Sequence, residues 1–144
     1  MPAGNLAAFQ SLASHPQAQR AVRRHMGPLL DEAKLERLVE IGDLVSPAVG
    51  TVLADTWNRG HNDGLKPSAY LGPTLVVRGG KDPFVTKQLV FKSVLPRFTT
   101  CSERIVPLAG HWPHVEQPGA LARILIKFLR SLDQTAGDRN MNSA

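Results

Sequence analysis

Only two segments of this chain read as β-strands, and both lie after Gly72-Pro73. Thr74-Leu75-Val76-Val77-Arg78 is a continuous apolar run, β-branched at three of its five positions. That pattern predicts a strand covered on both faces. Gly79-Gly80-Lys81-Asp82-Pro83 ends it, and 86–95 predicts a helix stopped before Pro96. Arg104-Ile105-Val106-Pro107-Leu108 is the second short strand, followed by Ala109-Gly110-His111. A last helix starts near Pro118, with Leu121, Ile124, Leu125, Phe128, Leu129 and Leu132 on one face and Arg123, Lys127 and Arg130 opposite. Strand, helix, strand, helix is a βαβα unit, whose strands should be parallel. Two strands alone leave an open edge on each side, so a buried parallel sheet needs more chain or a partner.

Before Gly72-Pro73 the period is helical. Short helices are expected over 6–12 and 16–26, with Pro16 suited to a first helical turn. Asp31 can cap a third, whose apolar positions Leu35, Leu38, Val39 and Gly42 keep helical spacing. Ser46-Pro47 opens a fourth, with Val49, Val52, Leu53 and Trp57 as its expected buried stripe. Asn58 to Gly64 reads as a loop. Such helices make a poor core by themselves and suit a layer lying over another surface. The expected layout is a helical cap segment over 1–72, a βαβα segment over 73–133 and a polar, disordered tail over 134–144.

Length and composition set the outer bounds. A chain of 144 residues with 42% hydrophobic and 20% charged residues is globular in balance and can bury a core without staples. Cys101 is the only cysteine, which excludes an internal disulfide and a cysteine-built zinc site. No leader or membrane-length apolar run is visible, so the expectation is a soluble, cytoplasmic protein with no membrane partner. The net charge of +5 and pI of 9.9 invite nucleic acid as a partner. The 17 basic residues are scattered among acidic ones, however, and no insertion helix or metal motif accompanies them. A mildly basic solvated surface accounts for them, so no nucleic acid is expected.

Two polar residues fall where parallel α/β sheets carry functional groups, beyond the C-terminal ends of strands. Asp82 follows the first strand and His111 the second. An Asp that accepts the Nδ1–H of a His fixes its tautomer and leaves Nε2 as a general base. The plainer alternative is a turn at Asp82-Pro83 and an ordinary loop histidine. Phe84 and Trp112 adjoin them and suit either substrate contact or packing. His15, His25 and His61 lack ligand spacing, so no metal is expected. Gly79-Gly80 is too short for a phosphate loop.

The segments Pro73-Thr74-Leu75-Val76-Val77-Arg78-Gly79-Gly80-Lys81-Asp82-Pro83-Phe84-Val85 and Gly110-His111-Trp112-Pro113-His114-Val115-Glu116-Gln117-Pro118 resemble the C-terminal part of the α/β-hydrolase superfamily. In that family an apolar strand ends in a Gly-x-x-Asp loop bearing the triad acid, and a later Gly-His bears the base. The resemblance implies Asp82 as acid, His111 as base, an α/β fold, and hydrolysis of a small-molecule ester or related acyl bond without a cofactor. It covers 73–132. By position and helical character, the four helices before it resemble the family's variable cap, in which Trp57 would line an acyl pocket or simply join the cap core.

The family's nucleophile elbow, Gly-x-Ser-x-Gly, does not occur in this sequence. None of its eight serines has the flanking glycines and a preceding strand, and Cys101 sits in Thr-Thr-Cys-Ser without an elbow. The resemblance therefore implies the C-terminal half of a hydrolase, inactive alone, as a truncated gene, a misplaced start or one half of a split enzyme would produce. The rival expectation is a non-catalytic module that pairs its open sheet edge with another chain.

Overall fold

The computed structural model describes residues 3–141. They form two units, divided between Lys66 and Pro67. The class is α/β: helices predominate, together with a sheet of two parallel strands.

The first unit is helical. It contains α1 (Ala3–Ser11), α2 (Pro16–Met26), α3 (Glu32–Asp43) and α4 (Pro47–Arg59), with 3-10 turns at Leu12–Ser14 and Asn62–Leu65. The helix starts follow the sequence chemistry. Asp31 accepts the N–H of Lys34 at 2.8 Å, and Ser46 Oγ accepts that of Val49 at 3.4 Å, with Pro47 at the first helical position. Arg20 pairs with Glu32 and Glu36, and Arg24 reaches Glu32, joining α2 to α3. Among the described residues, Met26, Leu30, Leu35 and Ala54 are the buried apolar ones of this unit.

The expected buried stripe of α4 is corrected by the structure. Val49, Val52, Leu53 and Trp57 are each at least half exposed. The helix turns its small face inward instead: Gly50 and Thr51 are half-buried and Ala54 is buried. Small residues let helix backbones approach closely, which a Val-Leu face would prevent. Trp57 meets α1, where the Phe9 ring lies edge-on to it at 5.3 Å. Gln10 also donates to Asp55 at 2.6 Å. The expected loop from Asn58 begins later, because α4 runs on to Arg59 and stops at Gly60, whose φ of 67° favours glycine.

The N–H of Lys34 holds the Asp31 carboxyl below the usual aspartate range. A depressed folded value means the carboxylate stabilises the fold above the ordinary Asp value of about 3.9, and loses that contribution as pH falls. Asp31→Ala should lower the melting temperature at neutral pH, and the gap from wild type should narrow as the melts are taken into acid.

The second unit holds β1 (Thr74–Gly79), α5 (Lys87–Leu89), β2 (Cys101–Val106), α6 (Pro113–Glu116) and α7 (Pro118–Met141). β1 and β2 pair in parallel, with Thr74 opposite Cys101 and Gly79 opposite Val106. The alternation puts Thr74, Val76, Arg78, Cys101, Glu103 and Ile105 on one face. Leu75, Val77, Ser102, Arg104 and Val106 take the other. Arg78 is buried and its Nε lies 2.5 Å from Glu103 Oε1, so the charges on that face neutralise one another.

The second strand lies earlier than the expected 104–108. Pro107 lacks an N–H for a ladder and the exposed Leu108 has left the sheet, so β2 ends at Val106 and begins at Cys101. The expected 86–95 helix is also altered. Thr86 caps it, but after one α-helical turn it widens into a π-turn over Val90–Val94 and a 3-10 turn over Leu95–Arg97. Pro96 cannot donate to an α-helical ladder, and the chain adjusts around it.

The interior of this unit is small: among the described residues, Val90, Val106 and Ala109 are its fully buried apolar ones. β1 is half-buried over Thr74–Val77, short of the double cover its composition suggests. On α7, Leu125 and Leu129 are exposed, against the expected single apolar face. Among the described residues no third strand covers either sheet edge. The helix α7 continues to Met141, across most of the expected disordered tail, and 142–144 lie outside the described residues.

Candidate active site

The two loops leaving the C-terminal ends of β1 and β2 are laced together by backbone hydrogen bonds. Gly80 donates to Val106 O at 2.8 Å and Lys81 to Ala109 O at 2.9 Å. This approach demands glycine. A Cβ at Gly79 would lie 1.9 Å from Gly110 O, and one at Gly80 would lie 2.3 Å from Pro107 O. From sequence these glycines read only as a strand terminator. Their close-packing role depends on residues 27 and 31 positions away, Pro107 and Gly110, and local pattern carries no signal for it.

The lacing brings Asp82 to His111. His111 Nδ1 lies 2.9 Å from Asp82 Oδ2. The other carboxylate oxygen, Oδ1, accepts the N–H groups of Phe84 (2.8 Å) and Val85 (3.0 Å). The Asp82 side chain is 4% exposed and that of His111 32%. An ionised carboxylate can only accept, so Nδ1 carries the proton and Nε2 presents its lone pair. No other residue among those described hydrogen-bonds the imidazole. The arrangement can therefore take up a proton at Nε2 and stabilise the resulting imidazolium through Asp82.

Phe84 and Trp112 join the pair. Their rings meet the imidazole edge-on, with centroids 6.1 and 5.3 Å away. Both are half-buried and line the flanks of His111. Glu116 lies beneath the same loop, buried, and accepts the N–H groups of Gly110 and Trp112. His114, His15, His25 and His61 are exposed.

No hydroxyl or thiol among the described residues is hydrogen-bonded to His111. Cys101 begins β2, at the end opposite the site, and five strand steps separate it from Val106 by roughly 17 Å. Burial also pushes its thiol up from the ordinary value, away from a reactive thiolate. Among the described residues, no helix is long and apolar enough to cross a membrane.

Two named proteins match parts of the chain. Esterase YbfF of Escherichia coli (strain K12) is 33% identical over 64 residues, 44% of this chain and 25% of the esterase. The abhydrolase domain-containing protein C22H12.03 of Schizosaccharomyces pombe is 31% identical over 91 residues, 62% of this chain and 30% of that protein. The chain thus spans less than a third of the length of either relative. Both names point to α/β-hydrolases, at low identity and over part of each chain. No protein-family model matches the chain, and no solved structure matches it significantly.

Proposed function

We propose that Asp82 and His111 are the acid and base of a Ser-Asp-His type triad that hydrolyses a small-molecule ester or related acyl bond. The observation that carries this is the 2.9 Å contact between His111 Nδ1 and a nearly buried carboxylate, at the C-terminal ends of two adjacent parallel strands. The names of the two partial relatives support the same chemistry. In the reaction, His111 Nε2 takes the proton of an attacking hydroxyl as its oxygen bonds to the acyl carbon, and returns it to the departing alkoxide. A water, activated by the same nitrogen, then releases the acid product. Phe84 and Trp112 would contact the substrate beside the imidazole. No cofactor enters these steps.

In this proposal the nucleophile and the oxyanion-binding N–H groups come from polypeptide outside these 144 residues. The edges of β1 and β2 that no described strand pairs favour strand pairing as the way that polypeptide docks. A purely structural module docking by the same edges is the second reading. The test is a graft in which the matching segment of the Escherichia coli esterase is exchanged for this chain's 73–132. The graft should turn over p-nitrophenyl butyrate repeatedly, while the 144-residue chain alone should not exceed imidazole. A folded graft without turnover would favour the structural module.

A further inference from the structure

We propose that Glu116 is the positioning residue for His111, a reading that deepens the acid–base role given to that histidine and rests on it. The Glu116 side chain is buried, and Gly110 donates its N–H to both carboxylate oxygens at 2.9 and 3.0 Å. Trp112 donates to Oε1 at 3.1 Å. These two N–H groups belong to the residues immediately before and after His111. Glu116 also donates its own N–H to Trp112 O at 2.8 Å, closing a ring of hydrogen bonds over the single turn of α6. The backbone on both sides of His111 is thereby tied to one side chain, and with it the direction of the His111 Cα–Cβ bond.

The imidazole is thus held twice. Asp82 holds the ring at Nδ1, and Glu116 holds the peptide from which the ring hangs. The first hold needs the second, because a hydrogen bond to a carboxylate nearly enclosed by its own loop tolerates little displacement of the donor. A carboxylate suits the task better than an amide. It accepts at both oxygens, whereas a glutamine with its oxygen at the Oε1 position would still turn its N–H₂ toward the Gly110 N–H. Charge-assisted hydrogen bonds of this kind are also the stronger sort. Glu116 touches no reacting atom in this scheme and acts through His111.

The test reads the tautomer of His111 in the full 144-residue chain by long-range proton–nitrogen NMR at a pH where the ring is neutral. In the wild type the proton should sit on Nδ1, facing Asp82. In E116Q that signature should give way to the Nε2–H form that free imidazole side chains favour, while the circular dichroism spectrum stays that of the wild type. E116D keeps the carboxylate and should restore the Nδ1–H form at least in part. A folded E116Q that holds the wild-type tautomer would overturn the proposal. Should E116Q fail to fold, E116D decides: slowed exchange of the Gly110 and Trp112 amides together with the Nδ1–H form supports the clamp. The Nδ1–H form with both amides exchanging freely contradicts it. Hydrolysis plays no part in this readout, so an inactive graft and a failed clamp are separate results.

Discussion

Gly79→Ala should destabilise the second unit by about 3 kcal/mol or more, beyond the usual range for one added methyl group. The new Cβ would stand 1.9 Å from Gly110 O and 2.4 Å from Ala109 O, both backbone atoms. A flexible side chain could swing away from such a clash, but these carbonyls are part of the loop that presents His111. Relief requires the ends of β1 and β2 to part, which costs the Gly80–Val106 and Lys81–Ala109 hydrogen bonds. The Asp82–His111 contact goes with them. Gly64→Ala is the control, since a Cβ there meets nothing within 4 Å. Denaturant melts should show a large loss for the first variant and little change for the second.

Asp82→Asn should lower kcat of the grafted hydrolase by roughly 10⁴-fold with the fold intact. The amide preserves the shape of the carboxyl group and can still accept the Phe84 and Val85 N–H groups at its oxygen. Its nitrogen then faces His111 Nδ1 and donates to it, which moves the imidazole proton to Nε2. The base nitrogen is then capped by the wrong proton, and an imidazolium formed in the reaction finds no counter-charge. Steady-state kinetics with p-nitrophenyl butyrate, beside a circular dichroism spectrum, separates this from unfolding. A loss of less than tenfold would mean that Asp82 orients its own loop and does little for His111.

The sequence made some of this legible and hid the rest for identifiable reasons. The Thr-Leu-Val-Val run announces β1, because β-branched residues without alternation suit a parallel strand. Asp82 and His111 stand out because each follows a strand, and parallel pairing then places the two loops side by side. The start of β2 was hidden because Cys-Ser-Glu-Arg looks like a solvated connection. Glu103 is tolerable in a strand only because Arg78, 25 residues away, neutralises it. The exposed stripe of α4 was misleading for a related reason. Hydrophobic spacing tells which face of a helix seeks burial, and here the small residues Gly50, Thr51 and Ala54 are the more buried ones instead. Leu44, Val49, Val52 and Leu53 remain in solvent, as do Leu125 and Leu129 of α7. Both units therefore carry apolar surface that their own residues do not cover.

The most direct measurement is the steady-state hydrolysis of p-nitrophenyl butyrate by the graft, with and without His111→Ala. If His111 is the base, the graft turns over many times and the variant loses at least 10³-fold in kcat. A folded graft whose turnover survives loss of His111 would contradict the assignment of Asp82 and His111 as a catalytic pair.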